Sequence, residues 1–238
     1  TLSEVVRKTQ VSRMESFLNE VLHWSRLNYM NVNTSKTKEM IIGPLRNNLL
    51  PALSIGENTV ERVAVYKLLG IHVDEKLRWN THTDSICSKA ASRLFFLKQL
   101  RRSGLSSVDL THFYQTAIRP VLEYACPAWH TSLSKEQSNQ IERIQKRALY
   151  IIHGNADYDE LCERFNCQTL HERREMLAKR FFQSILTDTN NCLHKLLPEP
   201  RDRTVVDRLR HAPLFVADKS RTNRFQKSLI MYGLNNFQ

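Results

Sequence analysis

The chain has 238 residues, of which 41% are hydrophobic and 25% are charged, and this composition is typical of globular rather than disordered proteins. Its formal net charge of +11 favours polyanionic partners, with nucleic acid as the first candidate and a membrane surface as the second. The sequence contains no run of about 18 apolar residues, so we expect no transmembrane helix and no membrane partner.

Six glycines and seven prolines are few for this length, which favours helices over an all-β fold. We therefore expect an α+β fold that is predominantly α. The first ten residues contain neither an apolar signal region nor an initiator Met, so we expect a piece of a longer chain. An odd number of dispersed cysteines predicts reduced thiols in an intracellular compartment, nuclear or cytoplasmic. They are Cys87, Cys126, Cys162, Cys167 and Cys192.

The first third of the chain combines one helix with several short strands, as judged from apolar periodicity and turn residues. The predicted elements are a helix at 3–27, a polar turn at 30–38, strands at 39–43, 53–55 and 60–66, and a loop at 44–51 that contains Asn47 and Asn48. Residues 67–73 alternate in polarity and predict one further strand, with Gly70 inside it. A glycine at that place indicates either a kinked edge strand or the close approach of another backbone.

Residues 80–102 form the most distinctive predicted helix. Its apolar stripe is Ile86, Ala90, Leu94 and Leu97. Its basic residues, with no acidic residue among them, are Lys89, Arg93, Lys98, Arg101 and Arg102. The charges of the last two complement the dipole at the end of their own helix, but that explanation does not extend to Lys89 and Arg93 in the middle of the helix. A surface that faces phosphates is the alternative interpretation of the whole set.

Further helices are predicted downstream, at 110–129 with a kink at Pro120, at 134–153, at 158–165 and at 170–186. The first of these carries the aromatic residues Phe113, Tyr114, Tyr124 and Trp129, which their helical spacing assigns to the core rather than to base stacking. Residues 198–238 lack sustained periodicity and are rich in basic residues, so a solvated tail with some packed apolar residues is expected.

A zinc site is a further alternative, because Cys162, Cys167 and His171 are zinc-ligand types. Their spacing matches no recognised finger, and cysteine is commonly buried as a small hydrophobe. We therefore predict no metal site.

Several motifs occur in an order that resembles the reverse transcriptases of non-LTR retrotransposons, especially the jockey-like elements. Thr1-Leu2 is similar to the residues that follow the family's aromatic-x-Asp-Asp motif, and the segment 32–38, VNTSKTK, is similar to its lysine loop. The segment from Tyr66 to His82 resembles the primer-grip hairpin and its exit into the thumb. Further similar stretches are Ser88 to Leu100, Arg119 to Trp129, Ile141 to Ala148, and Thr169 to Arg174.

This resemblance implies a division into a palm remnant with the lysine loop and hairpin at 1–79, a thumb-like helical region at 80–153, downstream helices at 154–197 and a basic tail at 198–238. A small antiparallel sheet with one or two helices would form the first part. The resemblance makes Lys36 a candidate general acid toward the leaving pyrophosphate. It makes the hairpin residues Lys67, Gly70 and Arg78 candidate primer contacts, beside the five cations of the helix at 80–102.

The resemblance also implies a polymerase activity, which we expect this chain alone to lack. The aspartates that hold two Mg²⁺ ions in the family would precede Thr1, and the adjacent Asp74 and Glu75 of a strand point to opposite faces. We therefore expect a fragment of an RNA-directed DNA polymerase that has no cofactor of its own, binds an RNA–DNA or DNA primer-template, and does not polymerise DNA alone. The alternative is a non-enzymatic helical module, derived from such an element, that binds another protein. The sequence predicts no oligomeric state.

Overall fold

The computed structural model describes residues 1–5, 12–43, 50–201, 214–217, 219 and 222–238. These residues form two compact units, Thr1–Arg78 (unit 1) and Trp79–Gln238 (unit 2). The fold is α+β and predominantly α, as expected. The naming of parts as palm, thumb and tail stays a prediction. Outside the described residues lie most of the predicted loop at 44–51, with Asn47 and Asn48, and the tail cations Arg203, Arg208, Arg210 and Arg221.

The described residues of unit 1 form one α-helix and three separate two-stranded ladders. Its elements are α1 (Met14–Leu27), β1 (Lys38–Glu39), β2 (Ser54–Ile55), β3 (Asn58–Thr59), β4 (Glu61–Arg62), β5 (Val65–Leu68) and β6 (Ile71–Asp74). Strand β1 pairs with β4 in parallel, whereas β2–β3 and β5–β6 are antiparallel. The strand predicted at 39–43 therefore has only two residues and begins one residue earlier, at Lys38.

Helix α1 begins at Met14, and residues 3–5 of the predicted helix are not helical. The reason is local. The Glu4 carboxylate accepts hydrogen bonds from the Arg13 backbone N–H at 3.0 Å and from the Ser12 hydroxyl at 2.8 Å. A carboxylate at this place satisfies a backbone donor at the start of the helix and complements the helix dipole. These hydrogen bonds lower the pKa of Glu4, the bond from Arg13 contributing most.

The predicted single strand at 67–73 is a hairpin. Lys67 pairs with His72 and Leu68 with Ile71, so Leu69 and Gly70 form a two-residue turn. Both turn residues have positive φ, +47° at Leu69 and +88° at Gly70, which is the pattern of a type I′ turn. The alternation of polar and apolar residues did not predict this chain reversal, because Leu is rare at a turn position with positive φ. The turn itself accounts for the glycine.

We expect Leu69→Asn to stabilise this hairpin by roughly 0.5–1 kcal/mol, because Asn tolerates positive φ better than Leu does. Leu69 is 82% exposed, so little packing is lost by the change. Amide hydrogen exchange across Val65–Asp74 measures the effect, and the protection of β5 and β6 should rise. Gly70→Ala is the matched control, and it should lower the protection because Ala disfavours positive φ. Unchanged or reduced protection in Leu69→Asn would contradict the turn assignment.

Unit 1 has few buried apolar side chains. Among its described residues, Leu18 and Val60 are the buried hydrophobic ones. Helix α1 instead exposes Trp24 by 55% and Leu27 by 66%, and all four residues of β5 are exposed. A unit with so little buried apolar area gains little free energy from its own folding.

Unit 2 is helical. Its helices are α2 (Asn80–Arg102), α3 (Ser107–Phe113), α4 (Arg119–Glu123), α5 (Lys135–His153), α6 (Tyr158–Arg164), α7 (Leu170–Thr187), α8 (Asn223–Gln226) and α9 (Leu229–Asn236). Helix α2 has the predicted bounds, and its stripe of Ile86, Ala90, Leu94 and Leu97 is buried as predicted. Helix α5 begins with a capping box formed by Ser134 and Gln137 and is followed by Gly154. In the described part of the chain, no helix is both long and apolar enough to cross a membrane.

The helix predicted at 110–129 is divided. A π-helical segment, Tyr114–Ile118, separates α3 from α4, and α4 ends at Glu123 rather than at Trp129. Pro120 has no N–H to donate, and the preceding Arg119 N–H bonds to the Tyr114 carbonyl, five residues back. The expectation of buried aromatics holds for Tyr114 and Trp129, which are fully buried, but not for Tyr124, which is 55% exposed.

The C-terminal segment is partly packed. Phe215, Met231, Leu234 and Phe237 form one apolar cluster with Phe182 of α7. A Cβ atom added at Gly233 of α9 would lie 2.4 Å from the Phe182 ring, so only glycine allows this approach of the two helices. Residues 229–238 therefore belong to the core of unit 2 rather than to a solvated tail.

A buried polar network joins α5, α6 and α7. The Glu142 carboxylate of α5 accepts hydrogen bonds from the backbone N–H groups of Leu170 at 3.0 Å and His171 at 3.1 Å, at the start of α7. It also accepts from the hydroxyl of Tyr158 in α6. Burial raises the pKa of Tyr158, and the hydrogen bond to Glu142 raises it further. One side chain thus positions two helices.

Candidate nucleic-acid interface

Helix α2 is the element that presents the predicted cations. Its apolar stripe packs on α4 and α5, which fixes the side of the helix that faces solvent. All five predicted cations are exposed: Lys89, Arg93, Lys98, Arg101 and Arg102. Between Ser85 and the end of the helix there is no acidic residue. The exposed side of α2 is therefore uniformly positive over about 20 Å, at about 1.5 Å per residue.

The cations of α2 lie in two rows rather than in one patch. Residues spaced by three or four positions are neighbours on a helix surface. The first row is Lys89, Arg93 and Phe96, and the second row is Phe95, Lys98 and Arg102. At about 100° per residue, the rows border the two sides of the solvent-facing surface, with Ser88, Ser92 and Gln99 between them. Two separated rows of positive charge can contact the phosphates of a nucleic-acid backbone along both sides of the helix surface.

Arg93 also has a structural contact. Its guanidinium donates a hydrogen bond to the Ala117 backbone carbonyl in the π-helical segment. Removing this side chain would leave that carbonyl without its donor, so a change at Arg93 tests both folding and binding. Arg101 lies near the end of α5, because its charge contributes to the lowered pKa of His153, after burial and Arg164. Lys89, Lys98 and Arg102 are therefore the cleaner probes of the surface.

The candidate residues of unit 1 lie on its loops and hairpin. Lys36 ends a short 3₁₀ turn that is held by the Asn33 side chain, which accepts from the Lys36 N–H at 3.0 Å. Lys67 is exposed on β5, and Gly70 lies in the hairpin turn. These residues belong to unit 1, whereas the cations of α2 belong to unit 2, and their shared role stays a prediction.

The Asp74 carboxylate has a conformational role in the structure. It accepts from the backbone N–H groups of Lys76 at 2.8 Å and Arg78 at 2.9 Å, and so closes the turn after β6. Such a side chain-to-backbone turn accounts for the aspartate without a metal. Across the described ranges, no three carboxylates converge in the way that two-metal chemistry needs.

One group of side chains has the spacing of a metal site. His130, His171 and Glu175 place ligand atoms within 4.8 Å of one another in the described part of the chain. This group shares only His171 with the Cys162–Cys167–His171 alternative. Burial raises the pKa of the Cys162 thiol to about 11, which disfavours the thiolate that zinc needs.

The protonation of His130 argues against a metal in that group. Arg174 Nε, which can only donate, bonds to His130 Nδ1 at 3.3 Å. In the neutral ring the proton is then on Nε2, which donates to Glu175 Oε2 at 2.9 Å. A metal at Nε2 would move the proton to Nδ1, opposite the Arg174 donor. The arrangement therefore fits a hydrogen-bonded chain better than a metal centre.

Two aromatic residues of α2 were missed by the sequence interpretation. Phe95 is 58% exposed and Phe96 is 57% exposed, and their rings meet edge to face with centroids 5.7 Å apart. Phe96 also forms part of a groove of about 460 Å³ between α2 and the α3–π segment. The sequence carried the signal, because both residues fall outside the 86–90–94–97 stripe. Counting the helical period for every apolar residue would have found them.

Comparison with known proteins gives distant relatives. A family model described as "Alkylated DNA repair protein alkB homolog 8, N-terminal" matches residues 79–119, a small part of the chain. The RNA-directed DNA polymerase from the mobile element jockey of Drosophila melanogaster is 21% identical over 213 residues, which are 85% of this chain and 23% of that protein. The probable RNA-directed DNA polymerase from transposon X-element of the same organism is 25% identical over 172 residues.

The second match covers 71% of this chain and 18% of the relative. The chain thus spans about a fifth of the length of the curated relatives it matches. No solved structure matches it significantly. Over most of its length, the chain is therefore similar to one part of mobile-element RNA-directed DNA polymerases.

Proposed function

We propose that this chain is a part of a non-LTR retrotransposon reverse transcriptase that binds a primer-template duplex and does not itself catalyse polymerisation. The observation that carries the proposal is the solvent-facing side of α2, where Lys89, Arg93, Lys98 and Arg102 are exposed without a neighbouring acidic residue. The similarity to two RNA-directed DNA polymerases supports the same conclusion. An RNA–DNA hybrid or a DNA duplex is the ligand class, and the nucleus or cytoplasm is the expected location.

The contacts on α2 would be to phosphates. Lysine and arginine side chains on an open helix surface neutralise phosphate charge and release counterions, so the binding is insensitive to sequence and weakens as salt rises. In this proposal, Lys67 and Arg78 of unit 1 provide further phosphate contacts and Gly70 lets the primer backbone approach the hairpin. Lys36 retains the place of a general acid, and the Mg²⁺ ions belong to the intact parent enzyme.

The test is a triple charge reversal, Lys89→Glu with Lys98→Glu and Arg102→Glu. We expect it to weaken binding to a fluorescently labelled RNA–DNA hybrid by roughly tenfold or more, because three phosphate contacts become repulsive. The slope of log affinity against log salt should become shallower by about 2 to 3, since each lost contact removes about 0.7–0.9. Fluorescence anisotropy between about 50 and 200 mM salt measures both quantities.

A matched control separates the local surface from the overall charge. Lys179→Glu, Arg180→Glu and Lys195→Glu change three exposed cations outside α2. Either set replaces three positive charges with three negative ones and lowers the net charge by six units, from +11 to +5. The control set should retain the salt slope of the unchanged chain. Equal losses in the two sets, or an affinity that does not depend on salt, would contradict the proposal.

The alternative function is a non-enzymatic helical module that binds another protein. Exposed apolar residues in unit 2, such as Val108, which is 75% exposed, and Tyr124, give this alternative a physical basis. The same charge reversal distinguishes the two. If the α2 triple variant folds normally and binds the hybrid as tightly as the unchanged chain does, the protein-binding alternative is favoured.

A further inference from the structure

We propose that the solvent-facing side of α2 binds unpaired nucleic-acid strands, with Phe95 and Phe96 stacking on bases while the cations of the two rows contact phosphates. This inference rests on the proposed function and adds unpaired strands to the duplex as a ligand of the same surface. Each row combines one aromatic ring with two cations, and the two adjacent rings lie between Lys89 and Arg93 on one side and Lys98 and Arg102 on the other along the helix. A basic surface with interleaved aromatic rings is the usual composition of single-strand binding sites.

The exposure of the two rings is the first argument. The large apolar residues of the buried stripe are at most 6% exposed; they are Ile86, Leu94 and Leu97. Phe95 and Phe96 face solvent by more than half of their surface, in the middle of a helix that is charged on both sides. Packing among the described residues of unit 2 does not account for them. Their exposed ring surface is available to a ligand that has both apolar faces and negative charge.

The ring geometry is the second argument. The planes of Phe95 and Phe96 meet at 77°, so their faces point in different directions. One base can stack on each ring, but the two rings cannot share a base. Bases in a duplex pair edge to edge, and their faces are covered by stacking on the neighbouring base pairs, so they are closed to such stacking. The geometry therefore selects bases that are unpaired.

The groove beside Phe96 is the third argument. Its walls include the apolar side chains of Phe96, Leu100 and Phe113, and its rim includes Arg93 and Gln99. Nucleobases have apolar faces and polar edges, and they fit a site with apolar walls and a few polar groups at the rim. The Gln99 amide both donates and accepts, so it can bond to the edges of different bases without selecting one sequence.

The test compares single strands with duplexes. Phe95→Leu with Phe96→Leu removes both aromatic faces and keeps apolar side chains at the two positions. We expect the double variant to bind a labelled single-stranded oligonucleotide, RNA or DNA, roughly tenfold more weakly than the unchanged chain, since each stacked base contributes severalfold or more. Affinity for a blunt RNA–DNA hybrid of the same sequence should stay within about twofold, and the salt slopes should not change.

Tyr124→Leu is the matched control, because Tyr124 is 55% exposed in unit 2 but lies outside α2. Tyr124→Leu should change neither the affinity for the single strand nor the affinity for the hybrid. The inference is overturned if the double variant binds the single strand normally, or if it loses single strand and hybrid equally. If the single strand is unaffected while the charge reversal on α2 abolishes hybrid binding, only the inference fails and the proposed function stands. If neither set of changes affects nucleic-acid binding, the inference and the proposed function both fail.

Discussion

Replacing Glu142 with Ala should lower the free energy of unfolding by about 2–4 kcal/mol. The carboxylate accepts three hydrogen bonds, from the N–H groups of Leu170 and His171 and from the Tyr158 hydroxyl. Without it, two donors at the start of α7 lose their partner, and the half-buried phenol of Tyr158 keeps only its contact with Gln145. Hydrogen bonds to a charged group contribute about 1.5–3 kcal/mol each, and they are not additive within one network.

Urea unfolding followed by circular dichroism measures this effect through the transition midpoint. The matched control is Glu136→Ala, in the first turn of the same helix. Glu136 forms an exposed ion pair with Arg143 at 3.4 Å, and such surface pairs contribute about 0–1 kcal/mol. Glu142→Gln should be intermediate, since an amide retains one acceptor oxygen but loses the charge. Equal costs for Glu142→Ala and Glu136→Ala would show that the network does not hold α7.

Stability should fall by an amount on the order of 3 kcal/mol as the pH decreases from about 6.5 to about 4, because His130 is held neutral in the folded protein. Its pKa is lowered from 6.5 to about 4, mainly by burial and then by the Arg174 charge, against the opposing effect of Glu175. The unfolded chain binds a proton below about 6.5 that the folded chain does not. Acid therefore favours unfolding, and the contribution is fully present only above that pH.

Unfolding measured at several pH values checks this dependence. The matched variant is His130→Gln, which is neutral at every pH. It should be less stable near neutral pH, because the bonds to Arg174 and Glu175 are disturbed, but its stability should change less between pH values of about 6.5 and 4. If the two proteins lose stability in parallel over this range, His130 is not the group responsible.

The sequence was sufficient where local signals agreed with packing. Helix α2 and helix α5 have their predicted bounds because a regular apolar stripe, a Ser134 cap and a Gly154 stop all indicate the same elements. The segment at 110–129 was predicted less well, because a π-helical turn depends on the Arg93 contact with Ala117 as well as on Pro120. That contact joins residues 24 positions apart and leaves no local pattern.

Only part of the candidate site was predicted, again because long-range contacts leave no local pattern in the sequence. The five cations of α2 are recognisable in the sequence, but their division into two rows follows only when the helix and its buried side are known. Arg174 received no separate prediction, yet its side chain is fully buried, and among the described residues its Nη1 has no hydrogen-bond partner. Such a buried cation depends on long-range packing that composition does not indicate. Phe95 and Phe96 were assigned no role, although their positions outside the 86–90–94–97 stripe already place them on the exposed side of the predicted helix.

The small buried core of unit 1 determines what an unfolding experiment reports. Global unfolding of the chain follows the cooperative loss of the unit 2 core, whereas unit 1 can open locally at a much lower free energy. Substitutions in the hairpin, such as those at Leu69 and Gly70, would then leave the global midpoint unchanged even when they alter the hairpin strongly. For this reason the local stability of the hairpin should be measured by site-resolved amide exchange rather than by a melting curve. An unchanged melting midpoint would not mean that a substitution leaves the local stability of the hairpin unchanged.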